Sequence, residues 1–175
     1  MATTTKLRET DKLARDVSRE NTPDSPVVQA LRQQTANAFV LYTNYKHYHW
    51  QTYGPLFREL HLMFDEFAAD VLGTIDEMAE RIRMIGQDVR NVQLKQMQGA
   101  AAVQSARAGQ SAREMLEEAD ANLLVVIKDI RDAALAADES NDPGTVDVLS
   151  KVVQIHEKHE WFLREVLKTN DGLVK

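Results

Sequence analysis

The 175-residue chain has no cysteine, which excludes disulfides, thiolate metal sites and any thiol open to oxidation by peroxide. No run approaches eighteen apolar residues, so the sequence offers no membrane-crossing helix. Glycine (seven) and proline (four) are scarce, and the apolar periodicity between them is helical throughout. The opening stretch MATTTKLRETDKLARD has neither an apolar core nor a cleavage signal, and a cytoplasmic location is expected. A formal net charge of −6 argues against general attraction of the whole molecule to nucleic acid. What is present, 43% apolar and 27% charged residues, fits one globular domain able to bury a core.

The punctuation predicts an all-α chain. Residues 1–24 are polar and read as an arm, and residues 169–175 as a short tail. Between them, residues 25–168 divide into four long helices. Ser25 and Pro26 suit a helix start, and the first helix is expected over 26–51, with Val28, Leu31, Thr35, Ala38 and Tyr42 at helical spacing. "TYGP" breaks it. The second is expected over 55–85, opened by Pro55 and closed by Gly86. Residues 87–110 are looser, with a short helix in them. The third is expected over 111–137, and after the turn "DESNDPG" the fourth over 145–168. Two short links and one long one describe a four-helix bundle with a ferritin-like long crossover.

Within this pattern the second helix carries polar residues where Leu would serve. His61 and Asp65 are four apart, as are Asp76 and Glu80, so each pair shares a helix face. Asp65 to Asp76 is three turns, which leaves all four on nearly one stripe. His61 and Asp76 nevertheless stand roughly 22 Å apart along the axis, whereas metal–ligand bonds are about 2 Å long. The pairs cannot close on one ion within a chain. They can close across a two-fold axis if two copies of this helix cross antiparallel near Asp70 and Val71, and the axis then makes two equivalent sites. His49, on the antiparallel first helix, can reach the His61 end. Imidazole mixed with carboxylate suits iron or zinc, and open positions at iron suit redox chemistry. A di-iron site inside one bundle usually needs two Glu-x-x-His motifs, and the chain has none.

The run "HYHWQTYGPLFRELHLMFDEF", followed by "IDEMAERIRMIG", resembles the Dps family of mini-ferritins (DNA-binding proteins from starved cells). The likeness extends through "NDPGTVDVL" and "KHEWFLREVL", about residues 25–168. It implies a hollow dodecamer of two-fold dimers and a ferroxidase that prefers hydrogen peroxide to oxygen and stores ferric product inside. By position, His49, His61, Asp65, Asp76 and Glu80 match the family's iron ligands, and Trp50 a tryptophan beside them; core packing is the other reading of Trp50. Leu62 stands where the family often has an acid, which puts one mineral-nucleating carboxylate in doubt, although Glu59, Glu66 and Asp70 are near. The resemblance also makes Asp138, Asp142 and Asp147 the lining of an ion-entry pore, since rings of like charge concentrate cations.

His47 lies about 200° around the helix from His49 and reads as surface. His156 and His159, with Glu160, read as an ordinary polar face. The arm holds five basic and five acidic residues over 1–24, so DNA binding is expected to be weak. The alternative to an iron-oxidising store is a structural nucleoid protein that coats DNA and uses metal only to staple its interface.

Overall fold

The computed structural model describes residues 22–169. Among them are five helices and no strand: α1 Pro26–Gln51, α2 Phe57–Met84, α3 Leu94–Ala100, α4 Ala112–Glu139 and α5 Pro143–Leu167. The expected arm and tail lie outside the described residues, apart from residues 22–24 and Thr169.

Each helix end has a local cause. At α1 the Ser25 side chain accepts the Val28 N–H at 3.2 Å, and Pro26 takes the first helical position, where no intrahelical donor is needed. The second helix starts two residues later than Pro55. Gly54 adopts a φ of +93°, the Phe57 N–H closes a tight turn on the Gly54 carbonyl, and the first helical bond runs from Leu60 to Leu56. Gly86, at φ +79°, ends α2: its N–H bonds the Arg83 carbonyl and that of Gln87 bonds Ile82. The cap of α4 is reciprocal, with Ser111 accepting from the Glu114 N–H and the Glu114 carboxylate accepting from the Ser111 N–H. The fourth long helix begins at Pro143, two residues before the expected Thr145, because Asp142 is its cap.

α1 packs against α2 and α4, and α5 packs against the other faces of the same two helices. Short turns join α1 to α2 and α4 to α5. The link from α2 to α4 is long and contains α3, which gives the expected ferritin-like bundle. The core between the four long helices includes Leu31, Tyr45, Phe64, Phe67, Val71, Met78, Leu123, Ile130, Leu149 and Leu163. Burying one such side chain stabilises the fold by roughly 1.5–3 kcal/mol.

Buried asparagines fasten the crossover. Asn44 receives the Ala106 N–H at 2.8 Å and donates to the Gln104 carbonyl at 2.8 Å, while Asn37 receives the Ala102 N–H at 2.7 Å. They satisfy backbone groups that have no helix or sheet partner. His156 and His159 do not form the expected polar face; they lie in the core at 1% and 0% exposure. The His159 ring stacks on Phe67 at 3.9 Å between centroids, and its Nε2 lies 3.2 Å from Asp70.

Candidate metal centre

The tight turn after α1 brings its last turn beside the start of α2. His49 and His61 thereby stack, with ring centroids 3.7 Å apart and 21° between planes. Their contacts are reciprocal. His49 Nδ1 lies 2.7 Å from the His61 carbonyl oxygen, and His61 Nδ1 lies 2.9 Å from that of His49. A carbonyl only accepts, so each Nδ1 carries the proton and donates. With Nδ1 committed to a carbonyl, the nitrogen left to bind a metal ion on each ring is Nε2. The backbone of each histidine thus fixes the tautomer and ring plane of the other.

One turn beyond His61, Asp65 is exposed and accepts a 2.6 Å ion-paired hydrogen bond from Lys46 Nζ. That bond holds the Asp65 carboxyl below the usual carboxylate range, and the nearby His49 and His61 act in the same direction. Lys46 also lies 5.7 Å from the centre of the Trp50 ring. Trp50 itself is 67% exposed, so within one copy it is not a core residue. Nothing in the sequence pointed to Lys46, because its link to Asp65 spans nineteen positions and exists only in the folded chain.

Asp76 and Glu80 stand exposed further along α2, and their carboxylates have no hydrogen bond or ion pair with another described residue. Asp76 opens onto an apolar cleft of about 320 Å³ lined by Phe39, Leu72, Val92 and Met97. Because α2 is a single unbroken helix of 28 residues, the two half-sets remain roughly 22 Å apart. No group of three or more histidine and acidic side chains among the described residues of one copy is placed to hold an ion. Midway between the half-sets the outer face of α2 carries Ala69 and Gly73, both exposed, and a Cβ built at Gly73 meets nothing within 4 Å.

The turn between α4 and α5 treats its three acids differently. Asp138 is exposed, and Asp147 is ion-paired with Lys151 at 2.8 Å. Asp142 is buried at 8% exposure. Its carboxylate caps α5 through the Thr145 N–H at 3.0 Å, accepts the Thr145 hydroxyl at 2.7 Å, and is ion-paired with Arg81. Burial alone would raise its pKa, but Thr145 and Arg81 together hold it below the ordinary value. Of the remaining residues, His47 is half-buried with its ring against Tyr48, Leu62 is exposed, and Glu59 pairs with Arg58.

A family model described as a ferritin-like domain matches residues 28–172. The DNA protection during starvation protein of Brevibacillus brevis is 32% identical over 81% of this chain and 95% of its own length. Among solved structures, Dps from Thermosynechococcus elongatus is 43% identical with a TM-score of 0.83, covering 89% of this chain and 99% of that one. The Dps protein of Vibrio cholerae O1, described as a member of a broad superfamily of ferritin-like diiron-carboxylate proteins, is 30% identical with a TM-score of 0.76, covering 81% of this chain and 89% of that one.

Proposed function

The chain belongs to the Dps family of ferritin-like proteins, and from that premise we propose that it oxidises ferrous iron at sites shared by two copies and stores the ferric product in a hollow dodecamer. The reciprocal histidine pair is the observation that supports this best: two rings are locked with both Nε2 atoms able to bind metal, beside an ionised carboxylate. One copy contributes His49, His61 and Asp65, and its partner contributes Asp76 and Glu80. Two such sites form where the α2 helices cross antiparallel at Ala69 and Gly73.

Iron is the substrate. Two ferrous ions supply the two electrons that, with two protons, convert hydrogen peroxide to two waters, and no one-electron hydroxyl radical is released. The carboxylates offset the charge gained as each ion becomes ferric, and the imidazoles hold the ferrous form. Before iron arrives, the Lys46 ammonium is the cation on Asp65, and an incoming ion displaces it. Trp50 borders the site through Lys46. Iron is preferred to zinc as the working ion because only iron has the electron to give. Ion entry falls to the exposed Asp138 and Asp147, since the Asp142 carboxylate is occupied inside the chain. Protection then consists of removing iron and peroxide together. DNA contact through residues 1–24 is weak, because acids offset the arm's bases.

The test is anaerobic loading with ferrous iron followed by stopped-flow mixing with peroxide or with oxygen. Two ferrous ions consumed per peroxide, faster than with oxygen and without trapped hydroxyl radical, is the expected result. One ion per peroxide with radical formation would overturn the function.

A further inference from the structure

We propose that Asp142 tunes the metal centre from the other side of α2, by holding the Arg81 cation away from Glu80; this rests on the function proposed above. Arg81 directly follows Glu80. Its guanidinium turns toward α5, where Nε donates to the Thr145 hydroxyl at 2.9 Å and a terminal nitrogen donates to Asp142. Gly144 makes room for it. A Cβ at that position would lie 2.7–2.8 Å from three guanidinium atoms, so any larger residue would push the arginine out. Among the described ion-paired arginines, Arg81 is the least exposed, at 20%, whereas the others are 56–77% exposed.

Three residues at the start of α5, Asp142, Gly144 and Thr145, therefore hold one cation that the sequence places next to a proposed ligand. Its position has a chemical consequence. Guanidinium presents a rigid fork that matches a carboxylate. If it were released, Arg81 would have Glu77 one turn back as its carboxylate neighbour, while Glu80 projects about 100° away around the helix. Its charge would then stand uncompensated beside the ligand face, and a unit charge about one Debye length away weakens divalent-ion binding about threefold at physiological salt. Asp142 prevents this, and its carboxylate acts on the centre through Arg81 as a positioning group.

Cobalt(II) binding to the full-length assembly, followed by its visible absorbance, tests this without iron redox chemistry. Asp142→Asn should weaken cobalt binding roughly three- to tenfold at unchanged stoichiometry. Adding Arg81→Gln to that variant should restore affinity to within about twofold of wild type, although the α5 cap remains damaged and the thermal stability stays low. A purely structural clamp would leave the double variant as weak as the single one, and that result overturns the proposal. Gly144→Ala, which keeps both charges and displaces only the guanidinium, should also weaken binding; wild-type affinity in both Gly144→Ala and Asp142→Asn would overturn it as well. A wild-type protein that takes up no cobalt at all overturns the proposed function together with this inference, which separates the two failures.

Discussion

Gly73 separates the stability of one copy from the crossing of two. It lies inside α2, is exposed, and has open space where a Cβ would stand. Gly73→Ala should therefore stabilise the helix by about 0.8–1 kcal/mol from propensity alone, which raises the unfolding midpoint by roughly 2–4 °C in a chain of this size. Gly73→Phe also starts from a Cβ in open space on the exposed face and should keep helicity. At the crossing the outcomes diverge. Helix axes approach to about 8 Å over small residues and about 10 Å over large ones, so Phe at this point separates the two α2 helices by a distance comparable to an entire metal–ligand bond of about 2 Å. Asp76 and Glu80 would then fall short of the partner's histidines, and a misplacement of that size lowers the rate by about a hundredfold. Circular dichroism, light scattering and peroxide-driven iron oxidation on the same preparations read all three effects. Gly73→Phe assembling and oxidising iron at the wild-type rate would show that the copies do not cross there.

Lys46→Met removes the ammonium on Asp65 and should tighten ferrous binding several-fold in anaerobic titration; weaker binding would mean that Lys46 helps to hold the site instead of competing for it. The buried His156 and His159 have pKa values pushed down to about 3 and about 4, by burial above all. Both stay neutral in the fold while the unfolded chain takes up protons below about pH 6.5, so stability should fall as pH drops from about 6.5 toward 4. His156→Leu should remove roughly 3 kcal/mol of that loss across the window, measured by urea unfolding at stepped pH; an unchanged slope would mean that His156 is already protonated in the fold. Deleting residues 1–20 should abolish any gel shift of DNA at low salt and leave iron oxidation intact, since no proposed ligand precedes His49.

The helices were legible because their ends are written locally. Ser25–Pro26, Gly86 and Ser111 are capping signals that act within a few residues, and the ends at those positions fell within a residue of expectation. The start of α2 was misplaced because Pro55 suits a turn as well as a first helical position, and the positive φ of Gly54 decides between them. The order of the crossover was hidden as well: it depends on Asn37 and Asn44 reaching it across sixty or so positions and on Asn122 reaching it from α4 across eighteen, and polar residues in a loop-like stretch do not reveal their partners. At the candidate metal centre, the spacing on α2 puts His61 and Asp65 on one helix face and Asp76 and Glu80 on another stretch of it. The histidine lock, Lys46 on Asp65 and Arg81 on Asp142 are contacts between helices, which no single-helix pattern contains. His156 and His159 misled for the same reason. Their spacing fits either face of a helix, and only the packing of Phe67 and Tyr45 shows that they face inward.

The sharing of each site between two copies is tested most directly by mixing lesions. His61→Ala and Asp76→Ala should each abolish fast iron oxidation. In a shell reassembled from equal amounts of both, a site needs an intact His61 from one copy and an intact Asp76 from the other, and random pairing leaves both intact in about a quarter of sites. Rapid oxidation by hydrogen peroxide should therefore return to about a quarter of the wild-type rate in the mixed shells, with nothing recovered when the two variants are combined without reassembly. Mixed shells that stay as inactive as their parents would contradict sites shared across the α2 crossing.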